Sequence, residues 1–375
     1  MPTNPMLRLG RLALSPELRA LQPGPGLVVT ATVGVPDSAS ERQHAWDVAW
    51  ADAAREAGQL GADPDTAQAL PAGAGDALVG GTRVAVAARG EVLLARWLAP
   101  GAAPNSVRVG PLPHLLEVAA GAARRPPYVV VQASRDGAEI AAHVSGDEQP
   151  PVQFPVGSRP GLSPDPDPGR PPAQLHGERH ITDREPESGG QRNDAFIAGR
   201  VAEAAASVGA HIVLGLGDQH ILGAVGGHLP ASIGPIVSIT GGGDGLSAAI
   251  GAALDEITTD AASAVAGQVA SRAEGPDPGA VFGIGAVAEQ LAEQQVAVLL
   301  VAADLAADPG STYRIGSSPT EFVVDDPDIG VEVPLEDGLV WAALHQDAIV
   351  VQLPDRSGPL AGQAVAALLR RGAAT

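Results

Sequence analysis

The chain has no cysteine and no lysine, so all 23 of its basic residues are arginine. Without cysteine there is no disulfide, no thiolate nucleophile and no cysteine zinc site. Without lysine there is no P-loop lysine, no Schiff base and no lysine general base. Positive charge is scarce altogether: 43 acidic residues give a formal net charge of -20. Such a surface repels nucleic acid on average, so any RNA contact must use local patches. Long apolar runs are missing too. The longest, at 296–307, contains Asp304 and is far short of a membrane span. The first residues, MPTNPMLRLGRLALSP, have neither a long apolar core nor a clean cleavage pattern. These absences lead to the expectation of a soluble cytoplasmic protein with no membrane partner. The lysine-free, alanine-rich composition points to a GC-rich genome.

A length of 375 residues allows two or three domains, each large enough to bury a core. The β-branched run at 27–35 predicts a buried strand. Asp37 and Ser38 then offer caps for a helix over 40–58, with Trp46, Val48 and Trp50 as packing residues. A hairpin over 82–99, turning at Arg89-Gly90, and a short helix over 111–123 complete a first α/β domain. A second hairpin is expected over 128–146, turned at Asp136-Gly137, and a Pro/Gly-rich extended, mobile stretch over 149–172. Asn193 or Asp194 caps the next helix, whose face repeats Ile197, Val201, Ala204, Ala205 and Val208. A strand at 211–218, a short helix from 221 and a strand at 235–240 follow.

The last part begins with a long helix over 246–272. It continues with a helix at 280–294, a strand at 296–303, a strand within 321–325, a helix at 335–345, a strand at 348–353 and a helix at 359–371. The expected fold class is α/β with three domains, each a mixed sheet with helices: 1–125, 126–240 with a loop over 149–192, and 241–375.

Few motifs carry chemistry. Gly189-Gly190-Gln191 sits in the charged run HITDREPESGGQRNDAFIAGR. A chain of this composition contains such a tripeptide by chance about one time in four, so context must decide. Paired glycines let the backbone approach a ligand closely, and a neighbouring Gln offers an N–H and an amide to a water or a carbonyl. The bland alternative is a glycine turn before a helix cap. His176 and His180 are four apart but lie in a loop without helical periodicity, so a solvated loop outweighs a metal site. Gly283-Ile284-Gly285-Ala286-Val287-Ala288 mimics a dinucleotide fingerprint, yet the preceding residues do not read as a strand. Gly215-Leu216-Gly217-Asp218 follows a strand and precedes a helix, but Asp218 would repel a phosphate. The loop arginines Arg159, Arg170, Arg179, Arg184 and Arg192 are outnumbered by neighbouring acids, so charge alone makes no basic patch. No cofactor and no metal site is expected.

Taken in order, the hairpin, long loop, GGQ tripeptide, amphipathic helix and strand resemble the central domain of archaeal and eukaryotic class-one release factors. PIVSIT-GGGDGLSAAIGAAL resembles the passage from their central to their C-terminal domain. FGIGAVAEQLAEQQVAVLLVAADL resembles a helix–strand unit of their ribosomal-protein-like C-terminal fold. RRPPYVVVQASRDGAEIAAHVSG is similar to the bacterial branch of this release factor/Pelota superfamily, which includes the Balon-like ribosome hibernation factors of actinobacteria. The resemblance covers about 128–371.

The resemblance implies a translation factor of the ribosomal A site, with ribosomal RNA and ribosomal proteins as partners and a translational GTPase such as EF-Tu as a further one. Release factors decode stop codons through a lysine-containing and a cysteine-containing motif. Neither exists in this chain, so decoding is not implied. Occupation of idle ribosomes, a stress response, is the expected role. The alternative is codon-independent peptidyl-tRNA hydrolysis by Gly189, Gly190 and Gln191, a ribosome-rescue activity; a second is a non-ribosomal stress scaffold. The candidate RNA-facing residues are Arg124, Arg125, Arg159, Arg179, His180, Arg184 and Arg192.

Overall fold

The computed structural model describes residues 4–24, 27–34, 42–75, 81–98, 105–134, 137–144, 152–156, 186–241, 245–272, 279–305, 312–316, 318, 321–323, 330–356 and 358–370. It is a mixed α/β protein. Its contacts form two compact units. The central unit comprises Pro127–Val144 and Gln149–Ala253; the terminal unit joins Asn4–Pro126 to Leu254–Thr375. Among the described residues no helix is long and apolar enough to cross a membrane.

The terminal unit opens with α1 (Pro16–Arg19), β1 (Val28–Gly34), α2 (Arg42–Gln59), α3 (Pro64–Ala69), β2 (Thr82–Ala88), β3 (Glu91–Leu98), β4 (Ser106–Gly110) and α4 (Leu116–Ala123). The strands form an antiparallel sheet in the order β3-β2-β1-β4. Strand period two sends alternate side chains to opposite faces. Val29, Ala31 and Val33 therefore join Trp46 and Trp50 of α2, while Val28, Val84 and Val86 enter a second core on the other face. Trp46 and Trp50, one helical turn apart, are fully buried, and Trp46 stacks on Trp97 with centroids 5.6 Å apart. Val48 points the other way and is 45% exposed, so it does not pack as its sequence context suggested. The proposed caps Asp37 and Ser38 lie outside the described residues.

The central unit contains β5 (Tyr128–Ser134), β6 (Gly137–His143), β7 (Val152–Val156), α5 (Pro186–Val208), β8 (Ile212–Gly217), α6 (Gln219–Gly226) and β9 (Ile236–Ser238). Its sheet runs β7-β6-β5-β8-β9, with β5, β8 and β9 parallel and β6 and β7 antiparallel. Ile197, Val201, Ala204 and Ala205 of α5 are buried with Val129, Val131, Ile140 and Val213 of the sheet. The apolar stripe of α5 was legible at helical spacing, and these contacts are its outcome.

After α7 (Leu246–Arg272) come β10 (Ala280–Phe282), α8 (Ile284–Ala292), β11 (Val296–Ala302), β12 (Thr312–Ile315), β13 (Phe322–Val323), β14 (Val331–Pro334), α9 (Leu335–His345), β15 (Ile349–Leu353) and β16 (Val365–Leu369). They give a sheet in the order β10-β16-β11-β15 and a small sheet β13-β12-β14. The helix expected over 359–371 is instead strand β16. It lies between β10 and β11, and all five of its residues are buried. Alanine and leucine favour a helix, but a strand covered on both faces shows a continuous apolar run rather than alternation. Tertiary pairing overrides the local propensity there. One core runs from Leu12, Val84, Leu94 and Leu115 through Leu291, Leu299, Leu339 and Leu369, so the first and last parts of the chain share their interior.

Candidate functional site

The GGQ tripeptide lies within α5, not in a loop before it. The helix starts at Pro186, and Gly189, Gly190 and Gln191 occupy its first two turns, followed by Arg192. Proline suits this start because the first helical N–H groups have no partner anyway. Asn193 and Asp194, expected to be the cap, are interior helical positions. Two helical glycines cost about 1 kcal/mol each relative to alanine. The buried stripe from Ile197 onward anchors the helix, and each added residue closes one more hydrogen bond. In a helix the N–H of residue 191 belongs to the carbonyl four residues back. Likewise, part of the segment 149–172 is strand β7, paired antiparallel with β6 from Ala138↔Val156 to Ala142↔Val152.

The arginine candidates are divided. Arg192 belongs to α5 of the central unit, whereas Arg124 and Arg125 follow α4 in the terminal unit. Arg159, Arg179, His180 and Arg184 lie outside the described residues, as do Arg170 and His176. Arg124 and Arg125 are neighbours in sequence within the terminal unit. Nη1 of Arg125 donates to Oδ1 of Asp255 at 2.8 Å and to the Arg124 carbonyl at 3.2 Å. Arg124 is exposed.

Two glycine motifs resolve into structure. Ala280–Phe282 is a strand rather than the start of a helix, followed by Gly283 and α8, so a strand–turn–helix context that the sequence does not suggest is present. Yet β10 pairs antiparallel with β16, and a dinucleotide fingerprint belongs to a parallel βαβ unit. In the Gly215–Asp218 turn, Gly217 has φ 100°, a left-handed conformation, and a Cβ there would meet the Ala133 carbonyl oxygen at 2.0 Å. Asp218 caps α6, its Oδ1 accepting from the N–H of His220 at 2.9 Å and of Ile221 at 3.4 Å. A carboxylate already fills the place an anion would take.

Among the described residues, a buried polar cluster joins side chains far apart in sequence. His114, in the loop between β4 and α4, faces Glu336 and Asp337 in the first turn of α9. Its Nδ1 lies 2.7 Å from Asp337 Oδ1 and its Nε2 3.4 Å from Glu336 Oε1. Side-chain exposure is 11% for the histidine and 7% for each acid. Arg108 Nη1 approaches Nδ1 at 3.3 Å, and the N–H of His114 donates to Thr30 Oγ1 at 3.0 Å. Helix α9 is buried all round, from Leu335 to Leu344, which forces its first-turn acids inside. There the helix dipole favours negative charge.

Burial disfavours the charged imidazole, but its hydrogen bond to the Asp337 carboxylate and the charges of Asp337 and Glu336 outweigh it. His114 thus holds its proton above the ordinary histidine pKa of 6.5. Burial pushes the Glu336 carboxyl above its ordinary 4.5, only partly offset by His114. These three side chains have metal-ligand chemistry and lie within 4.8 Å of one another. The two ring nitrogens point apart, however, and each already faces its own carboxylate, so one ion cannot use both. The arrangement is an imidazolium clamped between two acids. In sequence, the signals were a lone histidine between Leu-Pro and Leu-Leu and an acidic pair opening an apolar helix, too common to single out.

Residues 127–276 match the family described as bacterial archaeo-eukaryotic release factor family 2. The matched span begins immediately before β5 and ends just beyond α7. It therefore holds every element of the central unit and the GGQ-bearing helix. Among solved structures, the chain is similar to Archaeoglobus fulgidus Pelota, with 15% identity over 77% of this chain and 79% of that one and a TM-score of 0.34. A ribosome-bound archaeal Pelota with ABCE1 gives 14% identity, 99% and 98% coverage and a TM-score of 0.38. A translation termination-like factor of S. cerevisiae that interacts with Hbs1 gives 9% identity, 75% and 73% coverage and a TM-score of 0.35. No curated protein sequence matches.

Proposed function

We propose that this chain is a ribosome-binding translation factor that occupies the A site of idle ribosomes and does not decode stop codons. The match of residues 127–276 to a release factor family carries the reading. The absence of lysine and cysteine removes the decoding motifs of release factors. The partners follow from the same source: ribosomal RNA and ribosomal proteins, with a translational GTPase as the delivery factor. A protein with 43 acidic against 23 basic residues must hold RNA by shape and a few arginine contacts to the backbone. The domain reading is a first domain to about 125, a central one to about 240 and a C-terminal one beyond.

A hydrolytic role for the GGQ tripeptide is the competing reading, favoured by its presence inside the release factor-like span. Gln191 would position a water against the ester carbonyl of peptidyl-tRNA, and the glycines would allow close approach. Helical backbone at 189–191 supports the non-hydrolytic role, since the N–H of Gln191 is then engaged in the helix.

The two readings separate in one pair of measurements. The purified chain is expected to co-sediment with vacant ribosomes and to leave peptidyl-tRNA intact on loaded ones. Peptide release by wild type and not by Gln191→Ala would replace the occupancy role with rescue. Failure to co-sediment under low-salt conditions would remove both in favour of a non-ribosomal scaffold.

A further inference from the structure

The terminal unit contains a cleft of about 430 Å³, lined in part by Arg124, Arg125 and α7. Such a volume lies within the roughly 300–1,000 Å³ typical of small-ligand sites. Three elements and Leu9 build it: the end of α4 with Ala120, Ala123, Arg124 and Arg125; one face of α7; and the carboxyl end of β15 with Pro354. Strands β11 and β15 run parallel, and ligands of α/β sheets gather at the carboxyl ends of parallel strands.

The lining is divided by chemistry. Leu9, Ala123 and Val351 are buried and make an aliphatic floor, with Leu353 beside them. Polar groups converge from the rim. On α7, Asp255, Thr259 and Ser263 recur every four residues and so share one face. Thr258 spends its hydroxyl on the Leu254 carbonyl at 2.7 Å, which leaves the Thr259 and Ser263 hydroxyls to the opening. Gln352 adds an amide from the strand. Two guanidinium groups stand against one carboxylate, in a chain whose formal charge is -20. Asp255 holds Arg125 in place. Arg124 makes no side-chain hydrogen bond or ion pair among the described residues. Among the described residues no aromatic ring lines the cleft, so these offer no platform for stacking bases of single-stranded RNA.

We infer that this cleft is a receptor for a compact organic anion: one carboxylate or phosphate seated on Arg124, with Thr259 and Ser263 as hydroxyl partners and an apolar body on the Leu9–Ala123–Val351 floor. The inference does not rest on ribosome binding, although Arg124 and Arg125 are also among the candidate RNA contacts. Arg125, fixed by Asp255, is a positioning residue that shapes the wall behind the anion. Carboxylate and phosphate share the required chemistry, since a guanidinium pairs with either through two parallel N–H bonds.

The test is ligand-observed NMR and calorimetric titration of the full chain with N-acetyl-leucine, AMP and the uncharged N-acetyl-leucinamide. At least one of the two anions is expected to bind, and the amide is not. Arg124→Gln should weaken that binding about tenfold or more, Thr259→Val several-fold, and the same charge change at the exposed turn residue, Arg89→Gln, not at all. N-acetyl-leucine binding alone makes the natural ligand a carboxylate, and AMP binding alone makes it a phosphate ester. No binding of either at millimolar concentration, binding of the amide as tight as that of the anions, or binding indifferent to Arg124→Gln overturns the inference. An RNA oligonucleotide bound through Arg124 with no small anion bound would make the cleft a backbone contact instead.

Discussion

Replacing His114 by phenylalanine tests the imidazolium clamp directly. Phenylalanine keeps the ring volume but leaves Glu336 and Asp337, each 7% exposed, without the cation between them. Arg108 is then the remaining base facing the pair, and Glu117 adds a further negative charge. Removing one partner of a buried ion pair costs about 3–5 kcal/mol. Glu336, already pushed towards its protonated form by burial, can relieve part of that by taking a proton, so the lower end, about 3 kcal/mol, is expected.

The sign of the pH dependence follows from linkage. His114 has a raised folded-state pKa, so its contribution is fully present below about pH 6.5 and is lost as pH rises through the raised value. Glu336 is also raised, so the folded state keeps a proton that the unfolded chain has released above about pH 4.5. Both make wild-type stability fall with rising pH. The gap between wild type and His114→Phe should therefore be wider near about pH 6 than near about pH 8.5.

Urea denaturation followed by tryptophan fluorescence reads this cleanly, because Trp46, Trp50, Trp97 and Trp341 all belong to the terminal unit. Adding Glu336→Met and Asp337→Leu to His114→Phe should recover most of the loss, as apolar replacement of a whole buried ion pair does. A loss below about 1 kcal/mol, or one equal at both pH values, would refute the clamp.

Two further outcomes test the fold. Gly217→Ala forces a side chain into a left-handed turn and against the Ala133 carbonyl. It should cost more than about 2 kcal/mol, visible as faster amide exchange in β5 and β8. Leu368→Ala opens a cavity in the fully buried strand β16. It should lower terminal-unit stability by about 2–5 kcal/mol in the same tryptophan-monitored urea titration; a loss under about 1 kcal/mol would contradict the strand's central place in its sheet.

The sequence by itself determined whatever depends on local periodicity and on residues it does not contain. The turn at Arg89-Gly90, the stripe from Ile197 to Ala205 and the helix over 246–272 are all carried by neighbours within a few positions. The missing lysine and cysteine closed whole classes of chemistry without any coordinates. Only the tertiary structure decided three other things. Val365–Leu369 became a strand because partners on both sides supplied hydrogen bonds that its helix-favouring residues could not foretell. Residues at both ends of the chain came to share one interior. His114 met Glu336 and Asp337 across more than 200 positions, a pairing fixed by the burial of α9 rather than by any spacing in the sequence.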